Sequence, residues 1–143
     1  MKFKWLLSQE KIVWKELSNL YRLAPLGEKK PTDLEMSFTN SMYKCFVYES
    51  NQLIGAGRAL ADGVDCSYIC DVAVLPGYQG HGLGKEIINK LIQLSNGHKK
   101  IILYSVPGKE SFYKKSGFMH MNTAMAIFNN QEQAVLSGLI SET

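Results

Sequence analysis

The sequence lacks the features that mark secreted, membrane-spanning and metal-binding proteins. Its 143 residues include only three cysteines, an odd number that leaves any disulfide framework incomplete. Cys66 and Cys70 have no second pair and no nearby histidine, so no metal site is predicted. No apolar run approaches the ~20 residues that cross a bilayer. The basic start is interrupted from Gln9 onward, which predicts a first strand instead of a signal peptide. We therefore expect reduced thiols, a cytoplasmic protein and no membrane partner.

A large excess of charge of either sign is also missing. The formal net charge is +3, and the lysines form dispersed pairs such as Lys29 with Lys30 and Lys114 with Lys115. A nucleic-acid surface needs a continuous basic stripe, so no nucleic-acid partner is predicted. Hydrophobic residues make up 45% of the chain and charged residues 20%, the balance of a folded globular protein. At this length we expect one domain over residues 1–143.

The most informative feature of the sequence is a glycine-rich turn between a strand pattern and a helix pattern. An apolar run over residues 68–74 predicts a buried strand. Apolar residues then recur at helical spacing, at Leu83, Ile87, Ile88, Leu91 and Ile92. Between the two patterns lie four glycines, which are Gly77, Gly80, Gly82 and Gly84. Because glycine has no Cβ and a helix N-terminus presents free N–H groups, this turn is predicted to bind phosphate.

The spacing of the turn excludes two common phosphate-binding motifs. A Walker-type loop would need glycine where Gln79 stands and serine or threonine where Glu86 stands. A dinucleotide fingerprint beginning at Gly80 would need glycine or alanine at Lys85. The pattern that does fit is Gln-x-x-Gly-x-Gly, formed by Gln79, Gly82 and Gly84.

This pattern, preceded by Pro76 and Tyr78, resembles the acetyl-coenzyme A pyrophosphate loop of the GNAT N-acetyltransferase superfamily. A second segment, Phe-Tyr-Lys-Lys-Ser-Gly-Phe over residues 112–118, resembles the Phe-Tyr-x-x-x-Gly-Phe signature of the same superfamily. The resemblance implies a mixed α/β (α+β) fold in one domain. Its central β-sheet would be mixed, splayed between two parallel strands and flanked by about four helices.

The periodicity and turn signals give an element order that agrees with this fold. Helices are predicted over about 11–22, 32–39, the glycine turn to 97, and 108–116. Strands are predicted over about 2–7, 43–49, 52–60, 67–75, 100–106, 118–121 and 123–128, followed by a polar tail. Met119, Met121 and Met125 follow a period of two in places, so they line a sheet face or form a contact in a homodimer.

The resemblance also implies where acetyl-coenzyme A would bind as co-substrate, without a metal. The segment expected to hold its pyrophosphate consists of Gln79, Gly80, His81, Gly82, Leu83, Gly84 and Lys85. Backbone groups of Val72, Ala73 and Val74 would pair with the pantetheine amides. One of their N–H groups would polarise the thioester carbonyl, an interaction that contributes about 3–4 kcal/mol elsewhere.

Tyr113 matches the family tyrosine that protonates the departing thiolate; the alternative is an aromatic residue that only packs between Phe112 and Phe118. Many relatives carry asparagine seven residues earlier, where this chain has Val106, so one side-chain contact to the coenzyme is expected to be missing.

A general base is harder to identify from the sequence. Strand alternation predicts that Tyr68, Cys70 and Val72 face the cleft and that Asp71 faces the other way, paired with a lysine or arginine. Because none of the first three is a carboxylate, we expect a water-relayed base or an amine that arrives neutral.

Candidate acceptor-binding residues are Tyr21, Arg22 and Cys70. Arg22 would hold a carboxylate of the acceptor or simply balance a helix C-terminus, and Cys70 would be a packed thiol or an acetyl carrier.

The sequence thus predicts direct acetyl transfer from acetyl-coenzyme A to a primary amine of a small molecule or peptide. A non-catalytic acyl-coenzyme A sensor on the same fold is the alternative.

Overall fold

A computed structural model describes residues 2–143 and divides the chain into two compact units, one ending at Leu103 and one spanning Tyr104–Thr143. The first unit alternates helices with an antiparallel meander. Its strands are β1 (Lys4–Leu6), β2 (Tyr43–Glu49), β3 (Gln52–Ala61), β4 (Cys66–Val74) and β5 (Lys100–Ile102). Its helices are α1 (Trp14–Leu23), α2 (Pro31–Thr39) and α3 (Leu83–Leu94), with a 3-10 turn at Pro76–Tyr78.

The five strands form one mixed sheet in the order β1-β2-β3-β4-β5. The first four strands are antiparallel, and β4 and β5 are parallel. A parallel neighbour requires a crossover connection, and α3 supplies it. The predicted mixed sheet with two parallel strands is therefore confirmed.

Helices cover both faces of this sheet. Leu17, Leu20 and Phe38 from α1 and α2 pack with Phe46 and Ala56 into one buried cluster. On the opposite face, α3 approaches β3 so closely that a Cβ at Gly57 would lie 2.8 Å from Ile87 and 3.1 Å from Leu91. Glycine is required at this position because any side chain would collide with α3.

The parallel pairing of β4 and β5 is short, and this shapes the site. The paired residues are Cys66 with Lys100, Ser67 with Ile101 and Tyr68 with Ile102. The rest of β4, from Ile69 to Val74, pairs with β3 alone among the described residues. The parallel pairing thus covers three of the nine residues of β4 and leaves one edge of the remaining residues without a neighbouring strand in the described chain.

The second unit contains α4 (Glu110–Lys114) and α5 (Gln131–Leu136). The predicted strands over 118–121 and 123–128 are wrong, because no strand forms in this unit. Met119, Met125 and Ile127 are 89%, 96% and 94% exposed, so their alternation lines no sheet face. A strand also needs a partner for its backbone groups, and an apolar pattern alone does not supply one.

Residues 2–143 contain five helices, in line with the prediction of about four. The additional one, α5, falls in the segment predicted to be a polar tail. The Asn130 side chain accepts a hydrogen bond from the Gln133 N–H at 3.0 Å and caps this helix. No helix among residues 2–143 is long and apolar enough to cross a membrane.

Candidate functional site

The glycine turn lies in open space at the start of α3. Gly80 and Gly82 have φ angles of +89° and +77°, which favour glycine over residues with a Cβ. A Cβ at either position would meet no atom within 4 Å. Gly82 is the N-cap of α3, and no side chain caps the helix. The N–H groups of its first turn are therefore available to a ligand, and the helix dipole favours an anion there.

Two hydrogen bonds fix the start of this turn, and a buried leucine fixes its end. Before it, the Tyr78 hydroxyl donates to Glu49 Oε1 at 2.7 Å, and the Gln79 amide donates to the Val74 carbonyl at 3.1 Å. The bond to the carboxylate raises the pKa of Tyr78. After it, Leu83 is buried at 2% exposure. His81 lies between these anchors and Lys85 just after them. Both residues are exposed, so Lys85 is accessible to an anion.

The regular pairing of β4 with β3 is broken at Asp71, in the part of β4 that does not pair with β5. The register pairs Arg58 with Cys70 and Ala56 with Ala73, so Asp71 and Val72 both lie opposite Gly57. This is a β-bulge, and Asp71 has a φ of +56°. A left-handed conformation costs a non-glycine residue about 1–2 kcal/mol. Strained residues of this kind concentrate at functional sites, because surrounding contacts must hold them.

Three contacts hold Asp71 in this conformation. The Tyr21 hydroxyl donates to its carbonyl oxygen at 2.6 Å. The Arg58 Nε donates to its carboxylate at 2.8 Å, and the Lys29 ammonium lies 3.6 Å from the other carboxylate oxygen. The Asp71 side chain is only 17% exposed, so this pairing satisfies a charge that is largely out of water. The predicted pairing of Asp71 with a lysine or arginine is confirmed.

The bulge overturns the predicted alternation of β4. Cys70 pairs with Arg58 in the register, so the two side chains lie on the same face of the sheet. On that face Arg58 lies over the ring of Phe38 in α2. Val72 instead lies under α3, with its Cγ2 3.2 Å from a Cβ built at Gly57. Cys70 and Val72 therefore lie on opposite faces, whereas strict alternation places them together. The Asp71 carboxylate lies on the face of Cys70, because the extra residue shifts the alternation.

The structure places two of the three candidate acceptor residues beside the bulge. Tyr21 is fully buried, and its ring is 5.7 Å from the Lys29 ammonium. Cys70 is half-buried, and burial raises the pKa of its thiol to about 11, so the thiol is protonated at neutral pH. Arg22 is exposed on α1 and donates to Asn19, away from this cluster. Acceptor binding by these residues stays a prediction.

Tyr113 lies on α4 in the second unit. Its ring packs edge-on against Phe112 and Phe118, with centroids 5.1 Å and 6.3 Å away. Burial raises the pKa of its hydroxyl, so the phenol stays protonated at neutral pH. The higher pKa also makes it a weaker proton donor. These facts are compatible with both the acid and the packing interpretation.

Sequence reasoning missed Glu49, Lys29 and Arg58. Each acts through a contact with a residue on another element, such as Glu49 on β2 with Tyr78, 29 positions later. An isolated arginine in the apolar segment Gly55–Ala61 was a usable signal, because a charge in a buried strand requires a partner. No group of three or more metal-ligating side chains occurs among residues 2–143.

With this geometry in place, comparison with known proteins defines the class. The acetyltransferase (GNAT) family model matches residues 11–118, and the chain belongs to this family. It is 31% identical over 109 residues to the ycf52-like N-acetyltransferase of Prochlorococcus marinus, covering 72% of this chain and 61% of that one.

Over 72 residues it is 43% identical to the histone acetyltransferase TAP1 of Glycine max, covering 49% of this chain and 31% of that protein. The chain thus spans less than two thirds of the length of these relatives. A GNAT-family acetyltransferase from Streptococcus pneumoniae has the same fold, with a TM-score of 0.77, 20% identity and coverage of 90% of this chain and 99% of that one.

Proposed function

We propose that this chain, as one domain over residues 1–143, transfers an acetyl group directly from acetyl-coenzyme A to a primary amine of a small molecule or peptide. One observation carries the proposal. The free edge of β4, from Ile69 to Val74, leads through the 3-10 turn directly into the uncapped start of α3. The part of β4 that lacks a second neighbouring strand and the free helix N–H groups thus follow one another along the chain.

This arrangement fits the two polar parts of acetyl-coenzyme A. A pyrophosphate needs several N–H donors and space for close approach, and residues Gln79–Lys85 offer both at Gly80 and Gly82. The pantetheine arm carries amides that need strand-like partners, and Val72, Ala73 and Val74 lie on the free edge. When bound, the coenzyme supplies an activated acetyl group as a thioester.

In the proposed reaction the amine nitrogen forms the new bond to the acetyl carbon while the carbon–sulfur bond breaks. A backbone N–H on the free part of β4 stabilises the negative charge that develops on the thioester oxygen. Tyr113 donates its phenolic proton to the departing sulfur and recovers one from the amine through solvent.

No carboxylate at the bulge is free to take the proton of the amine. Asp71 is neutralised by Arg58 and Lys29, so we propose a water-relayed base or an amine that arrives neutral. Asp71→Asn is expected to keep measurable turnover. Loss of turnover in that variant, with fold and coenzyme binding intact, would instead assign the base to Asp71.

A non-catalytic acyl-coenzyme A sensor remains the second candidate. The absence of an unpaired carboxylate on β4 and the exposed Val106, where many relatives carry asparagine, favour it. The name of the Glycine max relative includes a histone, a protein substrate, which supports including lysine peptides among the acceptors tested. Cytoplasmic location and assembly as a homodimer stay predictions.

The experiment that separates the two candidates measures thiol release from acetyl-coenzyme A. Purified protein would be incubated with acetyl-coenzyme A and a panel of amines that includes small primary amines, amino acids and lysine peptides. An enzyme releases free thiol in proportion to acetylated amine, which mass spectrometry quantifies. Tight binding with no release for any amine would favour the sensor.

A further inference from the structure

The geometry points to a role for Tyr21 that differs from contact with the acceptor. We propose that Tyr21 is a positioning residue: its hydroxyl orients and polarises the peptide unit joining Asp71 to Val72, so that the Val72 N–H is the donor to the thioester oxygen. This inference rests on the proposed acetyl transfer, and it assigns the donor and the group that holds it.

The contact that supports this role is short and shielded from water. The Tyr21 hydroxyl lies 2.6 Å from the Asp71 carbonyl oxygen, and the Tyr21 residue is fully buried. Burial is the first cause that raises the pKa of this hydroxyl well above its usual value. The hydroxyl therefore stays protonated over the range in which the protein is assayed and acts as a fixed donor.

The direction of this hydrogen bond determines the direction of the next N–H. No peptide bond in the described chain is cis. In a planar trans peptide the carbonyl and the following N–H point in opposite directions. Because the Asp71 carbonyl points toward Tyr21 on α1, the Val72 N–H points away from α1.

Val72 lies next to Asp71 where the pairing of β4 with β3 is irregular. It lies with Asp71 opposite Gly57 in the bulge and has no register partner on β3. The strand β5 has ended four residues earlier in the register, at Tyr68 paired with Ile102. In the proposed arrangement, the thioester oxygen of a ligand on this part of β4 accepts a hydrogen bond from the Val72 N–H.

Polarisation gives the tyrosine a second effect on the same group. A hydrogen bond to an amide carbonyl strengthens the N–H of that amide as a donor, by about 10–30% per bond in condensed phases. The left-handed φ of Asp71 is held by Arg58 and Lys29 at the side chain and by Tyr21 at the carbonyl. Of the three, Tyr21 contacts the peptide unit itself, so its removal should affect the donor most directly.

The test replaces this hydroxyl and reads the thioester carbonyl. In Tyr21→Phe we expect kcat to fall about tenfold, less than the 100-fold or more that loss of an entire donor causes. We expect the KM for acetyl-coenzyme A to stay within about twofold, because the pyrophosphate turn is unchanged. The infrared band of the bound, 13C-labelled thioester carbonyl should lose part of its shift to lower frequency.

Tyr48→Phe is the matched control, because no hydrogen bond of the Tyr48 hydroxyl occurs in the described chain and it lies on β2. Its kcat and carbonyl band should equal those of the wild type. Equal kcat and an unchanged band in Tyr21→Phe would overturn the inference while leaving the acetyltransferase proposal intact. A wild type that binds acetyl-coenzyme A without transferring acetyl would overturn both.

A second variant keeps the inference testable if Tyr21→Phe does not fold. Site-specific replacement of Tyr21 by 3-fluorotyrosine keeps the size of the side chain and makes its hydroxyl a stronger donor. The carbonyl band should then move further to lower frequency than in the wild type. A band at the wild-type position would show that Tyr21 acts through packing alone and would contradict the inference.

Discussion

The bulge at Asp71 and the glycine turn at Gly80 and Gly82 both contain left-handed backbone, but they are held in different ways. The turn is surrounded by empty space, and glycine adopts its φ angles without strain. The bulge holds a non-glycine residue at φ +56°, and three side chains fix it. The backbone conformation of the turn depends on glycine itself, whereas that of the bulge depends on the side chains that contact Asp71.

This difference separates two requirements of the proposed site. A pyrophosphate-binding turn needs room for close approach, which a side chain at Gly80 or Gly82 would reduce. A donor to a thioester oxygen needs a fixed direction, which only surrounding contacts provide. The turn is therefore expected to be sensitive to added atoms and the bulge to removed partners.

The largest effect on stability is expected where the bulge loses its closest ionic partner. Arg58→Met should lower the free energy of unfolding by about 3 kcal/mol, because it leaves a largely buried carboxylate with only Lys29 beside it. Urea denaturation followed by circular dichroism measures this. The control is Lys100→Met, which breaks the half-exposed pair with Asp65 and should cost much less, because water screens an exposed ion pair. Equal losses of stability in the two variants would contradict the claim that the buried Asp71 carboxylate requires Arg58.

The next effect concerns Cys70, directly before the bulge. Burial raises the pKa of its thiol from 9.0 to about 11, a difference of two between folded and unfolded chains. Because only the thiolate is alkylated, the thiolate fraction at pH 8 should be about 100-fold lower in the folded protein than in urea. Iodoacetamide labelling read by mass spectrometry should speed up about tenfold for each pH unit from 8 to 10. A rate that levels off at pH 9 would contradict the closed environment of the bulge.

A smaller difference in stability is expected between alanine and glycine at position 71. Both Asp71→Ala and Asp71→Gly remove the carboxylate, but only glycine adopts φ +56° without strain. The glycine variant should therefore be more stable by about 1 kcal/mol. At Ala73, on the same strand, the order should reverse, with Ala73→Gly less stable than wild type by roughly 0.5–1 kcal/mol. Thermal unfolding measures both differences, and alanine as the better residue at 71 would show that the bulge relaxes.

The smallest effect is expected at the anchor of the turn. Tyr78→Phe removes the bond to Glu49 Oε1, while the other carboxylate oxygen of Glu49 already has no partner in the described chain. We expect coenzyme affinity to weaken about three- to fivefold, because the turn loses one hydrogen bond of ordinary strength. Isothermal titration calorimetry with acetyl-coenzyme A measures it, with Tyr48→Phe as control. Unchanged affinity would mean that the bond between Tyr78 and Glu49 does not help to position the turn.

Local signals predicted the framework of this protein well. The hydrophobic spacing from Leu83 to Ile92 and the preceding glycines define α3 and its N-terminus, because both depend on residues near one another in sequence. The hairpin of β2 and β3 follows for the same reason, since Ser50 and Asn51 take left-handed φ angles of 48° and 67°.

What sequence reasoning missed depends on contacts distant along the chain. The bulge at Asp71 requires Tyr21, fifty residues earlier, to accommodate its carbonyl. Simple alternation therefore assigned Cys70 and Val72 to one face. The strands predicted over 118–128 failed because alternating methionines resemble a sheet face without a partner strand. By contrast, Asn130 followed by Gln133 was a local capping signal that predicts α5 and was not used.

The most direct test of the central claim is a calorimetric titration of acetyl-coenzyme A into three proteins: wild type, Gly82→Glu and Gly97→Glu. Gly97 follows the far end of α3, has a φ of +95° and also has open space around a Cβ, so its variant carries the same strain and charge away from the turn. A carboxylate beside the pyrophosphate should weaken binding at least about 100-fold.

We predict micromolar binding for the wild type and for Gly97→Glu, and loss of binding for Gly82→Glu. Equal affinity in all three proteins, or no binding by the folded wild type, would show that the glycine turn is only a connection between β4 and α3.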